Sequence, residues 1–380
     1  MRRVLLLISC LMIFAACGSV VEAEVESRVE VSEPEIIENE VHENQIPENE
    51  ILENEVPENE VPEIILEDIV HEENTSEANY YAAYEALYQN IAEPLIVKAT
   101  IFPQYDFIRQ IGGNRVELSM LISPGSESHG FEPTPRDMLA IGNADLLVHI
   151  GGHKDEWVQP ILSTVNREDM PTIALLDLVE TIVVQHHMLC DEEDCGHLHH
   201  IPHLDHYDEH VWTCPRNAII IVGELANILA EKDPSNAEYF RANAERLIAE
   251  LSEIDREFAE VVANASRRTV VFGDRFPFRY FMQTYGLTYH SAFDGCCASI
   301  QVSPATIASL VTTVRAEEIP IVFHIELSNR EIANVIAEEA GARTLELHSA
   351  HNISSADFNA GVTYVDIMRQ NIINLREALA

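Results

Sequence analysis

The histidines of this chain are concentrated in one region. Eight of the 17 lie between His186 and His210. Neutral imidazole and cysteine thiolate are ligands that suit zinc or copper. The alternative is a solvated polar loop without chemistry, but the density of ligands favours an auxiliary metal-binding loop over residues 186–206, which need not form one ordered site. Its candidate ligands are His186, His187, Cys190, Cys195, His197, His199, His200, His203 and His206.

Two further histidines stand in turn-like segments at the ends of predicted strands. His129 precedes Gly-Phe-Glu-Pro-Thr-Pro, and His210 precedes Val-Trp-Thr-Cys-Pro. Loops beyond the carboxyl ends of parallel strands are where open α/β folds bind ligands. The two positions are therefore candidates for a second metal site, one that is built by the fold.

The elements that would position these histidines alternate between short apolar runs and amphipathic segments. This alternation predicts an α/β fold with mainly parallel sheets flanked by helices. Strands are expected at 96–101, 116–122, 145–150, 172–176, 269–272, 321–325 and 344–347, and helices at 306–316 and 330–340.

One long helix separates the two series of strands. Asp233 and Pro234 resemble a helix start, with an N-cap followed by proline in the first turn. The helix would carry one apolar stripe over about 30 residues, or roughly 45 Å. Two lobes joined by this helix are the simplest arrangement. The stripe consists of Phe240, Ala244, Leu247, Leu251, Ile254, Phe258 and Val261.

The first residues are typical of an export signal. Arg2 and Arg3 precede an apolar run over 4–16, which is too short to span a membrane. Small residues before Cys17 favour a lipoprotein signal peptidase, which would leave Cys17 lipidated. The alternative is an ordinary signal peptide cleaved after Ala16. Both interpretations place the protein outside the cytoplasm.

The segment after the signal is strongly acidic. The net charge is −41, and residues 22–80 hold 21 acidic residues against the single Arg28. A pentad rich in Glu and Asn recurs over 36–60, which matches no regular period and favours an extended tether over a weak cation-collecting arm. Such charge argues against nucleic acid as a partner and favours cations.

The segments around His129 and His210 resemble those of a known family, the solute-binding proteins of zinc and manganese ABC importers. Residues 128–145 resemble its histidine signature with Glu-Pro-Thr-Pro, and residues 208–217 resemble its second histidine followed by Trp-x-x-Pro. The resemblance covers roughly 95–380. It implies a two-lobed fold, a rigid linking helix, one metal site in the cleft and an ABC importer permease as partner.

The resemblance also implies a third ligand just after the first strand of the second lobe. Glycine stands at the expected position here, and Asp274 is the nearest candidate. The alternative is a structural carboxylate paired with Arg275 or Arg279.

A fourth ligand, usually a carboxylate, is implied shortly after residue 345. His348 stands at that position and is the expected ligand. His351 is either a second ligand, a group that orients a ligand, or part of a polar loop. Glu326, at the end of the strand over 321–325, would either ligate the metal or orient a histidine.

These candidates together predict a zinc carrier. A set rich in imidazole suits Zn²⁺ better than Mn²⁺, which prefers oxygen. We expect a lipid-anchored monomer at the extracytoplasmic face of a bacterial membrane, which captures zinc for an importer and is not an enzyme. The alternatives are a surface metal reservoir or adhesin and, less favoured, a secreted zinc hydrolase. The expected divisions are a signal peptide at 1–17, a tether at 18–92, an N-terminal lobe at 93–232, a linking helix at 233–266 and a C-terminal lobe at 267–380.

Overall fold

The computed structural model describes residues 93–126, 131–184, 206–293 and 302–380. The signal, Cys17, the tether and His129 lie outside the described residues, as do His186, His187, Cys190, Cys195, His197, His199, His200 and His203. Contacts place the described residues within one compact unit, Ser76–Ala380. Across these ranges every helix is too short or too polar to traverse a bilayer.

The first lobe contains the parallel sheet that the apolar runs predicted. Its strand order is β2-β1-β3-β4, and Val97 and Ala99 in the central strand β1 are completely buried. The strands are β1 (Leu95–Ala99), β2 (Val116–Met120), β3 (Leu146–His149) and β4 (Thr172–Ala174). The helices are α1 (Phe102–Gly112), α2 (Pro135–Gly142) and α3 (Val158–Thr164).

A small antiparallel pair encloses the histidine-rich segment. Strand β5 (Val183–Val184) pairs with β6 (His206–Tyr207), with Val184 opposite His206. Val184 and His206, which flank residues 185–205, are therefore held side by side. The sequence pattern did not predict this pair, because strands of two residues carry no detectable period.

Two packed helices follow, α4 (Pro215–Lys232) and α5 (Ala237–Ala263). All seven residues of the predicted apolar stripe on α5 are buried. The α-helix begins later than predicted because Asp233 accepts hydrogen bonds from Ser235 and Asn236 and caps a short 3₁₀ turn. The α5 helix also packs against α1 of the first lobe and against the C-terminal helix Tyr364–Leu379 of the second, so it contacts both lobes.

The second lobe repeats the parallel architecture with strand order β10-β9-β7-β8. Strand β8 was not predicted because it is an edge strand whose residues are all at least partly exposed. The strands are β7 (Thr269–Phe272), β8 (Thr288–Ser291), β9 (Ile321–His324) and β10 (Arg343–Glu346). The helices are α6 (Arg279–Tyr285), α7 (Pro304–Ala316), α8 (Glu331–Ala340), α9 (Ser355–Asn359) and α10 (Tyr364–Leu379).

A buried carboxylate joins α1 of the first lobe to α10 of the second. Asp106 is completely buried and accepts a hydrogen bond from the backbone N–H of Tyr364 at 2.8 Å. Burial raises the pKa of Asp106 above its ordinary value, although bonds from Arg109, Tyr364 and Gln110 act in the opposite direction. The contact fixes the start of α10 against the first lobe.

The packing of α5 makes a quantitative prediction about stability. Leu251→Ala should lower the free energy of unfolding by about 2–5 kcal/mol, because it leaves a cavity at a fully buried position. Glu245→Ala, on the exposed face of the same helix, is the matched control and should change stability little. Urea denaturation measures both, and equal effects would contradict the assigned burial of this stripe.

Candidate metal centre

His210 lies between β6 and α4 and is buried. Its Nδ1 lies 2.9 Å from Oδ1 of Asp208, which also accepts the backbone N–H of His210 at 2.9 Å. A carboxylate at Nδ1 holds the proton there and leaves Nε2 as the nitrogen available to a metal. This arrangement is typical of a metal-ligating histidine. Asp208 was not among the predicted site residues, although the Asp-x-His spacing was a usable signal.

Asp208 is itself fixed by the second lobe. Arg279 Nε on α6 lies 3.2 Å from Oδ2 of Asp208, and the Tyr280 hydroxyl donates to the carbonyl of Asp208 at 2.7 Å. Burial by itself raises the pKa of Asp208, but the charge and hydrogen bonds of His210 and the charge of Arg279 outweigh it, so that the pKa lies below its ordinary value. The carboxylate therefore stays ionised while it orients His210.

His351 of the second lobe lies beside His210. The two ring centroids are 5.5 Å apart with an interplanar angle of 78°, and His351 is buried. Zn–N bonds of about 2.0–2.1 Å in a tetrahedral site place two ligating imidazole centroids roughly 5 Å apart. The observed separation therefore suits two ligands of one ion. Trp212 packs against both rings, at 5.4 Å from His210 and 5.0 Å from His351.

His348 has a different environment. Its Nδ1 accepts the backbone N–H of Ala350 at 2.9 Å, and the same atom lies 3.6 Å from Oε2 of Glu326. The contact with Glu326 would be an ion pair only if Nδ1 carried a proton. A protonated Nδ1 could not accept the backbone N–H of Ala350. We favour the hydrogen bond, because the shorter distance satisfies the buried N–H of Ala350. The role of His348 as a ligand stays a prediction.

Glu326 follows β9, and its carboxylate is engaged by the turn after β10. Oε2 accepts the backbone N–H of Ser349 at 2.7 Å. Oε1 accepts the Ser349 hydroxyl at 2.5 Å and the backbone N–H of His351 at 3.1 Å. Of the two roles expected for Glu326, these contacts favour orientation of a histidine over ligation.

Asp274 is buried at the end of β7. Oδ1 accepts the backbone N–H of Arg275 at 2.8 Å, and Oδ2 accepts the backbone N–H of Ile325 at 3.2 Å. The preceding residue must be glycine for a steric reason, because a Cβ at position 273 would lie 2.3 Å from the Cα of Ala333. No side chain fits there, and the carboxylate stands one residue later.

His129 lies in a gap of the described residues, but the chain before that gap contacts the second lobe. The side-chain amide of Asn352, which follows His351, donates to the carbonyls of Ser123 and Ser126 at 2.9 and 2.8 Å. Within the ranges described, no group of three or more His, Cys, Asp or Glu side chains is placed to hold a metal. Among the predicted site residues that the structure describes, His210 and His351 are brought together with their rings in contact.

Comparison with known proteins gives consistent matches. The family model described as zinc-uptake complex component A, periplasmic, matches residues 97–378. The zinc-binding lipoprotein AdcA of Streptococcus pneumoniae is 28% identical over 288 residues, 74% of this chain and 55% of that protein. The high-affinity zinc uptake system protein ZnuA of Bacillus subtilis is 28% identical over 293 residues, 76% of this chain and 88% of that protein.

Solved structures agree with this result. The Zn(II)-bound ZnuA-like domain of Streptococcus pneumoniae AdcA superposes with a TM-score of 0.61 at 26% identity, and the match covers 75% of this chain and 99% of that domain. The chain spans only about half the length of AdcA, 55% for the protein from Streptococcus pneumoniae. The likeness is therefore to one domain of those relatives.

The contact between Asp208 and His210 predicts a measurable effect on metal binding. Asp208→Asn keeps the shape but removes the charge that orients the imidazole, and should weaken zinc binding about 10–100-fold. Competition with a chromophoric zinc chelator measures the affinity. The control is Asp366→Asn, which alters only the cap of α10 and should bind zinc as the parent does. Parental affinity in Asp208→Asn would refute the orienting role.

Proposed function

The chain belongs to the family of the periplasmic component A of zinc-uptake complexes, and from this premise we propose that it captures zinc outside the cytoplasm and delivers it to an ABC importer permease. One observation carries the proposal. Two buried imidazoles from different lobes, His210 and His351, lie at the separation that one tetrahedral ion requires. The matched relatives are named as zinc-binding and zinc-uptake proteins.

The proposed site draws on both lobes. His129 and His210 would contribute from the first lobe, and Asp274 with a histidine of the turn after β10 from the second. Such a set is rich in nitrogen with one carboxylate, which suits four-coordinate Zn²⁺ better than Mn²⁺. The buried Asp208 carboxylate supports this assignment, because it prepares Nε2 of His210 for a metal.

The remaining features fit a protein held at a membrane surface. We propose that Cys17 carries lipid and that the acidic segment to residue 92 spaces a monomeric domain from the membrane. The relative from Streptococcus pneumoniae is named a lipoprotein, which supports an anchor. No catalytic step is part of the proposal, because a carrier needs its coordination positions filled by protein, whereas a zinc hydrolase keeps one open.

The first test of this function removes one proposed ligand. The parent protein, purified without added metal, should contain one tightly bound zinc per chain by elemental analysis. His210→Ala should lose that tight equivalent, because a water molecule would replace a preoriented imidazole. His290→Ala, an exposed histidine on β8, is the control and should retain it.

The outcome also separates transport from the rival functions. Cells that carry the His210→Ala variant should take up less radioactive zinc when zinc is scarce. A metal reservoir would instead bind several equivalents weakly and lose little on this substitution. Full zinc retention by His210→Ala would refute the proposed site.

The second test concerns the histidine-rich loop, which we propose gathers zinc without forming the principal site. Residues 185–205 would be replaced by Asn-Gly, a two-residue turn that joins β5 directly to β6. The deletion should remove weaker additional equivalents and keep the tight one, because ligands that the fold already holds in place lose less conformational entropy on binding. Chelator competition measures both classes. Loss of the tight equivalent would instead make the loop the principal site.

A further inference from the structure

We propose that His351, and not His348, holds the metal from the second lobe, and that Glu326 is the positioning residue that aims it. The segment concerned is the turn 348–351, which follows β10. The inference rests on the proposed function, since it identifies one ligand of the proposed zinc site. It differs from the prediction made from sequence, in which His348 was the expected ligand and His351 and Glu326 had alternative roles.

The carboxylate of Glu326 is largely used by the turn. It accepts three hydrogen bonds, two from Ser349 and one from the backbone N–H of His351. An ionised carboxylate offers about four acceptor positions, so a bond to zinc would compete with these contacts. The side chain is only 8% exposed, and the lost backbone partners would stay buried without an acceptor. Glu326 therefore acts on the metal through the turn.

The turn needs this support because its backbone is in an uncommon conformation. Ala350 has a φ of 58° and is completely buried. Left-handed backbone is unfavourable for a residue with a Cβ and persists where surrounding contacts hold it. Glu326 accepts hydrogen bonds from Ser349 and His351, the residues on either side of Ala350. The backbone N–H of Ala350 itself donates to Nδ1 of His348.

The same bond gives His348 a structural role. When Nδ1 accepts from Ala350, the proton of the neutral ring is on Nε2. Neither nitrogen then offers a lone pair to a metal unless the turn loses a hydrogen bond. The backbone of His348 is also held, since its N–H donates to Asn371 at 2.9 Å and its carbonyl accepts from Asn371 at 2.8 Å.

The result of this arrangement is the direction of His351. Trp212 Nε1 donates to the carbonyl of Ser349 at 2.9 Å, so the turn is also held from the first lobe. The His351 ring then lies against both Trp212 and His210. A ligand fixed in this way loses little conformational freedom when it binds zinc.

The test compares three variants of the full-length protein loaded with zinc. His351→Gln, His348→Gln and Glu326→Gln would be examined by chelator competition and by X-ray absorption at the zinc edge, which counts bound imidazoles. His351→Gln should lose one imidazole and weaken binding more than 100-fold. His348→Gln should keep the parental number of imidazoles and weaken binding less than His351→Gln does, because it removes one support of the turn and not a zinc ligand.

Glu326→Gln should weaken binding about 10–100-fold with the number and type of zinc ligands unchanged. A purely structural role would lower thermal stability without this change in affinity, and a ligand role would remove an oxygen from the zinc shell. Glu331→Gln, exposed at the start of α8, is the control. If Glu326→Gln does not fold, Ser349→Ala removes one of the three bonds and should weaken binding several-fold.

Several outcomes would overturn the inference. These are loss of an imidazole in His348→Gln, parental imidazole content in His351→Gln, loss of an oxygen ligand in Glu326→Gln, and parental affinity in Ser349→Ala. The proposed function fails separately, when His210→Ala retains the tight zinc. If the roles assigned to His348, His351 and Glu326 are wrong but His210→Ala still loses the tight zinc, the proposed function stays in place.

Discussion

The two lobes depend on the burial of one residue, Trp212. Its side chain is completely buried, its indole N–H donates to Ser349 in the second lobe, and its carbonyl accepts the hydroxyl of Tyr364 at 2.6 Å. Tyr364 in turn packs on Phe107 and donates its backbone N–H to Asp106. These contacts join α1, the turn that precedes α4, and α10 at one point. Because the Trp212 ring also contacts His210 and His351, the interaction that joins the lobes also sets the geometry of the proposed metal centre.

The proposed centre pairs each histidine with a carboxylate that holds it. Asp208 fixes the ring of His210 by a direct bond, whereas Glu326 fixes His351 through the backbone of the turn. Each carboxylate is buried, and each is held by groups that no metal supplies, Arg279 for Asp208 and Ser349 for Glu326. Such preorganisation favours tight binding, since the conformational cost is met in folding. It gives a physical reason for a chain with a histidine-rich tract to possess a folded site as well.

The structure also explains why the chain departs from the pattern of the resembling family. Glycine at 273 leaves room for α8, and the neighbouring Asp274 bridges the ends of β7 and β9 through Ile325. A histidine at 348 stands where a carboxylate is usual, but a carboxylate from the segment after β9 lies beside it, with Oε2 of Glu326 3.6 Å from Nδ1 of His348. The second lobe thus carries the carboxylate on the segment after β9, next to the turn 348–351, and not in the turn itself.

The sequence by itself determined the fold class, the position of the long helix and its buried stripe, and seven of the eight strands of the two parallel sheets, each to within two residues at its ends. These features depend on local periodicity, which each segment carries without reference to the others. It also indicated His210 as a metal candidate, because a motif of adjacent residues surrounds it. The edge strand β8 and the pair of β5 and β6 were missed, since exposed or very short strands have weak patterns.

Only the tertiary structure decided which groups meet. The sequence favoured His348 over His351, whereas their environments depend on Glu326, which is more than 20 residues earlier, and on Trp212, which is 137 residues from Ser349. The spacing of Asp208 and His210 is visible in the sequence, but the pairing of Asp208 with Arg279 of the other lobe is not. The physical reason is that the direction of a side chain depends on hydrogen bonds and packing between segments that are distant in the chain.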